Sequence, residues 1–148
     1  MNSSNSRYLL DLNALIAFAD PDHKHHRAIQ KWFQTAGRQD WGVCPLTEAG
    51  FVRITTNPIY QGGAWTVEQA TAVLTDFSTH PGYRFWPISD GWASLTAPFA
   101  RRIFGHQQVT DAYLLGLAVK ENGVLVTFDK GIKYVAGAEF SRNILILE

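Results

Sequence analysis

The chain has 148 residues, 46% of them hydrophobic and 18% charged, which is the size and make-up of one cored domain. Thirteen basic and thirteen acidic side chains cancel, so the total charge marks neither a basic polyanion-binding protein nor an acidic disordered one. Cys44 is the only cysteine, which excludes an intramolecular disulfide and any multi-cysteine metal site. No run approaches the roughly 18 apolar residues of a membrane span, and the Asn/Ser-rich start lacks a signal-peptide pattern, so a cytoplasmic protein is expected.

Residues 1–6 read as a disordered tail to a single domain over 1–148. Tyr8-Leu9-Leu10 is a short apolar strand that stops at Asp11, and Leu12, Leu15 and Ile16 follow at helical spacing. Ala28, Ile29, Trp32, Phe33 and Ala36 mark a second amphipathic helix, with Gly37 as its C-cap. A strand around Trp41 to Cys44 comes next, with Cys44 a buried thiol. Thr47 reads as the N-cap of a helix through Glu48, Phe51, Val52 and Ile54 that Asn57-Pro58 ends. After the Gln61-Gly62-Gly63 loop, Val67, Ala70, Val73, Leu74 and Phe77 repeat at one helical turn. Tyr83 to Trp86 reads as an aromatic strand closed by Pro87. Trp92, Leu95, Phe99 and Ile103 form another helical face, and Thr110 opens a helix from Asp111 to about Asn122 with Gly123 as its cap. Val124 to Phe128 and Ile144 to Leu147 are the last two strands.

Short apolar strands alternating with helices imply an α/β fold, with a mainly parallel central sheet of about five strands covered on both faces. Ligands of such sheets bind beyond the carboxyl ends of the strands. Asp11 and Asp129 each directly follow a strand. From Asp111 the helix climbs about 17 Å and the following strand descends about 17 Å, which returns Asp129 to the level of Asp111. Glu48 opens the helix after the second strand, so four carboxylates are expected at one edge.

Carboxylates ~4 Å apart repel by roughly 4 kcal/mol per pair at an effective dielectric near 20, so such a cluster needs protons or cations. Mg²⁺ or Mn²⁺ takes oxygen ligands, activates water and neutralises a phosphodiester, so metal-assisted phosphodiester hydrolysis suits these residues. With the four acids set aside, thirteen basic side chains face nine acidic ones, a surplus of four that suits a polyanion. Each acid also has a purely structural reading. Asp11 can cap a helix, Glu48 and Asp111 can favour helix dipoles, and Asp129 can serve a turn.

Leu10-Asp11-Leu12-Asn13, Leu46-Thr47-Glu48-Ala49-Gly50-Phe51-Val52-Arg53, Val109-Thr110-Asp111-Ala112-Tyr113 and Thr127-Phe128-Asp129 resemble, in order, the four signature segments of the PIN domains of VapC toxins. The resemblance runs from about Tyr8 to Leu147. It implies a three-layer α/β/α fold and an Mg²⁺- or Mn²⁺-dependent endoribonuclease that acts on RNA. It also implies a homodimer neutralised by a small cognate antitoxin. Carried across by motif, Asp11, Glu48 and Asp111 would be the core metal ligands, and Asp129 a fourth acid acting directly or through water. Asn13 and Thr127 would be polar supports. Arg53 would hold Glu48 or touch phosphate, with an exposed helix arginine as the equal alternative.

His23, His25 and His26 lack a zinc-finger spacing or a cysteine partner and read as an exposed helix start. Trp32 falls on an apolar stripe and reads as core. A receiver-like regulatory domain would need an adjacent acidic pair where Asp11 is followed by Leu12. A metal-dependent adhesion module would need Asp-x-Ser-x-Ser, which Asp11 to Leu15 does not supply. A PIN-like metal-binding module without nuclease activity is the remaining alternative.

Overall fold

The computed structural model describes residues 6–148, so the expected tail over 1–6 lies, apart from Ser6, outside the described residues. Strand β1 (Tyr8–Leu10) leads into α1 (Leu12–Ala19) and α2 (His26–Trp32), which continues as a wider π-helical turn through Gly37. Then come β2 (Trp41–Gly42), α3 (Pro45–Thr55), α4 (Val67–Ser78), α5 (Trp92–Thr96), α6 (Val109–Lys120), β3 (Val124–Thr127), α7 (Ile132–Ala136) and β4 (Ile144–Ile146). The sheet runs β2-β1-β3-β4 with every pairing parallel, and Leu10 sits in register with Val126.

Alternation along the strands divides the core in two. Leu9 and Leu125 face one layer with Leu95, Leu114, Leu115 and Val135 from α5, α6 and α7. Tyr8, Leu10 and Val126 face the other with Leu15, Ile29, Trp32 and Phe51 from α1, α2 and α3. Burial on both faces is why these strands are continuous apolar runs and not alternating ones. Trp32 packs edge-on against Tyr8 at 5.2 Å, and Cys44 is fully buried, both as expected.

Several elements differ from the sequence reading. The sheet has four strands among the described residues, because the expected strand at Tyr83 to Trp86 completes a single parallel bridge, Trp41 to Tyr83. The segment still runs beside β2, with Arg84 N donating to Trp41 O at 2.8 Å and Trp86 N to Val43 O at 3.0 Å, before the stretch it pairs with turns into α3 at Pro45. A Cβ at Gly42 would collide with the Arg84 carbonyl, so only glycine admits this approach.

Helix α3 starts three residues earlier than expected, with Cys44 as N-cap and Pro45 pre-set for the first turn, which places Thr47 inside the helix and buries it. The helix expected from Trp92 to Ile103 shortens to α5 plus a 3₁₀ turn over Ala97–Arg102, since Pro98 cannot continue the helical hydrogen bonds. At the end of α6 the left-handed residue is Asn122, not Gly123, and Gly123 N instead donates to Ala118 O at 2.7 Å. Five-residue α7 carries too few periodic positions to read from sequence.

Candidate active site

Asp11 leaves the end of β1, with its backbone N donating to Val126 O at 3.1 Å and its Oδ1 accepting Ala14 N at 2.8 Å. The carboxylate is therefore the N-cap of α1, and it is only 4% exposed. Parallel register continues one step past Leu10 and Val126, which sets Asp11 opposite buried Thr127. The Thr127 hydroxyl favours the charged carboxylate and also accepts Asp129 N at 3.0 Å. Asp129 then closes a tight turn, with Oδ1 accepting Gly131 N at 2.8 Å. Asp111 lies in the first turn of α6, half-buried.

These three aspartates converge. Burial pushes the Asp11 carboxyl up to about 6, against the Thr127 and Ala14 hydrogen bonds, and Asp129 adds to the rise. Burial also drives Asp111 up, to about 7, reinforced by the charges of Asp11 and Asp129 and by hydrogen bonding between the Asp111 and Asp129 carboxyls. Both shifts run in the direction that favours protonated carboxyls over three charged ones.

Glu48 is placed differently. It sits in the first turn of α3, half-buried, and its upward shift comes from burial alone. Its charge is felt instead by Tyr83, whose hydroxyl is pushed up to about 12 by burial, Glu48 and Cys44. The aromatic strand signal at Tyr83 carried no hint of that proximity. Close packing of Gly50 on Leu12 keeps α3 against the start of α1, on the side of Asp11.

Of the supporting residues, Thr127 touches the acids as described. Asn13 is exposed and lines a cleft of about 840 Å³ beside the cluster, together with Asp20, Lys24, Ile54 and Tyr60. Tyr60 donates to Asp20 across that cleft. Arg53 is exposed and forms no ion pair with Glu48 among the described residues. The histidines are half-buried, not exposed. His25 stacks on Phe128 at 4.3 Å, His26 Nδ1 lies 2.7 Å from Ala17 O, and His23 Nδ1 accepts His25 N at 3.0 Å. They tie the α1–α2 connection to the residue before Asp129.

Among the described residues no three His, Cys, Asp or Glu side chains are drawn together tightly enough to hold an ion as they stand. The donor chemistry nevertheless suits one. Asp11, Asp111, Asp129 and Glu48 offer only hard oxygen atoms, and the ion pairs among the described residues, Arg7 with Asp40 and Glu121 and Lys120 with Asp90, leave all four acids without a basic partner.

Comparison with known proteins gives one consistent pattern. The PIN domain family model matches residues 8–138. Ribonuclease VapC38 of Mycobacterium tuberculosis (strain ATCC 25618 / H37Rv) is 44% identical over 124 residues, covering 84% of this chain and 86% of the relative. Ribonuclease VapC39 of the same strain is 38% identical over 130 residues, covering 88% and 94%. In fold, the chain resembles a structure of VapBC2 from Rickettsia felis bound to a promoter DNA fragment, with a TM-score of 0.65 at 15% identity over 95% of this chain and 98% of that one. DNA-bound VapBC from Salmonella typhimurium gives 0.60 at 17% identity over 95% and 98%.

Proposed function

Because the chain belongs to the PIN-domain family of VapC ribonucleases, we propose that it is a toxin-type endoribonuclease that hydrolyses RNA at the Asp11, Asp111 and Asp129 cluster, with Glu48 as a further ligand. The observation that carries this reading is the convergence of three carboxylates, two of them with raised pKa, in a place without a basic partner. Mg²⁺ or Mn²⁺ held by these residues would neutralise a phosphodiester and lower the pKa of the attacking water. The chain's own part is positioning. Ala14 N and Thr127 hold Asp11, the Asp129–Gly131 turn orients Asp129, and α6 fixes Asp111. Metal ligands must be deprotonated and Asp111 is raised to about 7, so metal affinity should rise with pH between about 6 and 8.

The relatives in complex structures carry VapB partners, which supports a small cognate antitoxin for this chain. A homodimer follows from the same family reading. The function test is cleavage of total RNA with and without chelator. Cleavage only with Mg²⁺ or Mn²⁺, leaving 5′-phosphate and 3′-hydroxyl ends, is expected. Undiminished cleavage in excess chelator, or cyclic phosphate ends, would mean attack by the 2′-hydroxyl and overturn the mechanism.

A further inference from the structure

Helix α7 is pinned from below and open above. Ile132, Val135 and Ala136 are buried, and Arg102 donates from Nε to Val135 O at 2.8 Å and from Nη2 to Ala136 O at 3.1 Å. What remains exposed is Lys130, in the turn that leads into α7, and Lys133 and Tyr134 on the helix itself. Tyr134 is 77% exposed, unusual for an aromatic on a helix so firmly seated. The Arg102 anchor also holds the 3₁₀ turn over Ala97–Arg102 against α7.

This face begins at the residue after Asp129. The hydrogen bond from Gly131 N to Asp129 Oδ1 makes the carboxylate and the start of α7 one rigid turn, and Tyr134 lies ~7 Å further along. Lys130 and Lys133 both line the groove of about 570 Å³ between α7 and β4, where Glu148 is the one acid. Lys133 adjoins Tyr134 in α7 and Lys130 lies four residues before it, so two cations and an exposed ring share one short segment. Phosphate neutralisation close to a surface on which a base can stack is what a single-stranded nucleic acid needs.

We infer that Lys130, Lys133 and Tyr134 form a platform for single-stranded RNA that holds nucleotides flanking the bond cut at the aspartates. The inference rests on the ribonuclease reading for its substrate, but it makes its own prediction about binding.

The test uses the full chain carrying Asp11→Asn and fluorescence anisotropy with a labelled, mixed-sequence RNA of about a dozen nucleotides. Adding Tyr134→Ala should weaken binding about tenfold, while Tyr134→Phe stays within about twofold. Lys130→Ala and Lys133→Ala should each lower the slope of log affinity against log salt by about 0.7. In the active chain Tyr134→Ala should raise KM and spare kcat. Binding unchanged by all three alanine variants, or no RNA binding at all by the Asp11→Asn chain, overturns the platform. Antitoxin capture lost while RNA binding is intact would make the face a protein surface and overturn it equally. Metal-dependent cleavage of total RNA by the unmodified chain separates the two readings. Cleavage with unaffected binding sinks the platform alone, whereas binding losses without cleavage sink the nuclease reading and leave the platform supported.

Discussion

Asp11 serves two roles that the single residue must reconcile: it caps α1 through Ala14 N, and it carries a carboxyl raised to about 6 by burial. Its folded value lies above the unfolded value of about 3.9, so the stabilising protonated form is fully present below that pH and lost as pH rises through about 6. A gap of about two pH units corresponds to roughly 3 kcal/mol against the metal-free fold at pH 8. Asp11→Asn keeps a capping oxygen and removes the charge. Cleavage should fall to background while the chelated Tm at pH 8 rises by several degrees and keeps, between pH 5 and 8, only the dependence that comes from Asp111. Asp11→Ala should gain less, because the lost cap costs about 1 kcal/mol. Melting curves in chelator at several pH values decide it, and a Tm lowered equally by Asn and Ala would make Asp11 a structural cap only. Asp129 is exposed and tied to Gly131 by an oxygen that asparagine also supplies, so Asp129→Asn should reduce cleavage less than Asp11→Asn. Equal loss from both variants would place Asp129 among the indispensable ligands.

At the scale of elements, Asp111 owes its placement to how closely α6 approaches its neighbours. A Cβ at Gly116 would come within 2.3 Å of the Leu95 carbonyl oxygen and 2.9 Å of the Leu95 Cβ, so α5 and α6 touch at backbone distance. Gly116→Ala must push α6 away or strain α5, a change expected to cost about 1–3 kcal/mol. Urea melts should show that loss. Because α6 carries Asp111, RNA cleavage should fall as well. A variant with unchanged stability would mean α5 yields freely. The His25–Phe128 stack works at the same scale, fastening the α1–α2 connection to the segment between Thr127 and Asp129.

For the whole molecule, the family reading that supplies the antitoxin also supplies a second copy of this chain as partner. The expected outcome is a dimer by light scattering at micromolar concentration, and growth arrest on induction that a co-expressed partner relieves. A monomer alone under those conditions removes the dimer, and unimpaired growth removes the toxin role.

Much of this was legible in the residues. Apolar runs at Tyr8–Leu10 and Val124–Thr127 specify strands buried on both faces, because a segment with no polar face has nowhere else to lie. Alternation with helices then sets a parallel sheet, and the residue after each strand is carried to one edge, where the sequence reading had already put Asp11 and Asp129. Four things required the tertiary structure. Glu48 stands close enough to raise Tyr83, the expected fifth strand closes one bridge, His25 is drawn in against Phe128, and α7 exists at all. Strand burial and chain direction are local consequences of side-chain periodicity. Which carboxylate meets which neighbour depends on close approaches such as Gly50 on Leu12 and Gly42 on Arg84, set by residues far apart in the chain and carrying no periodic signal.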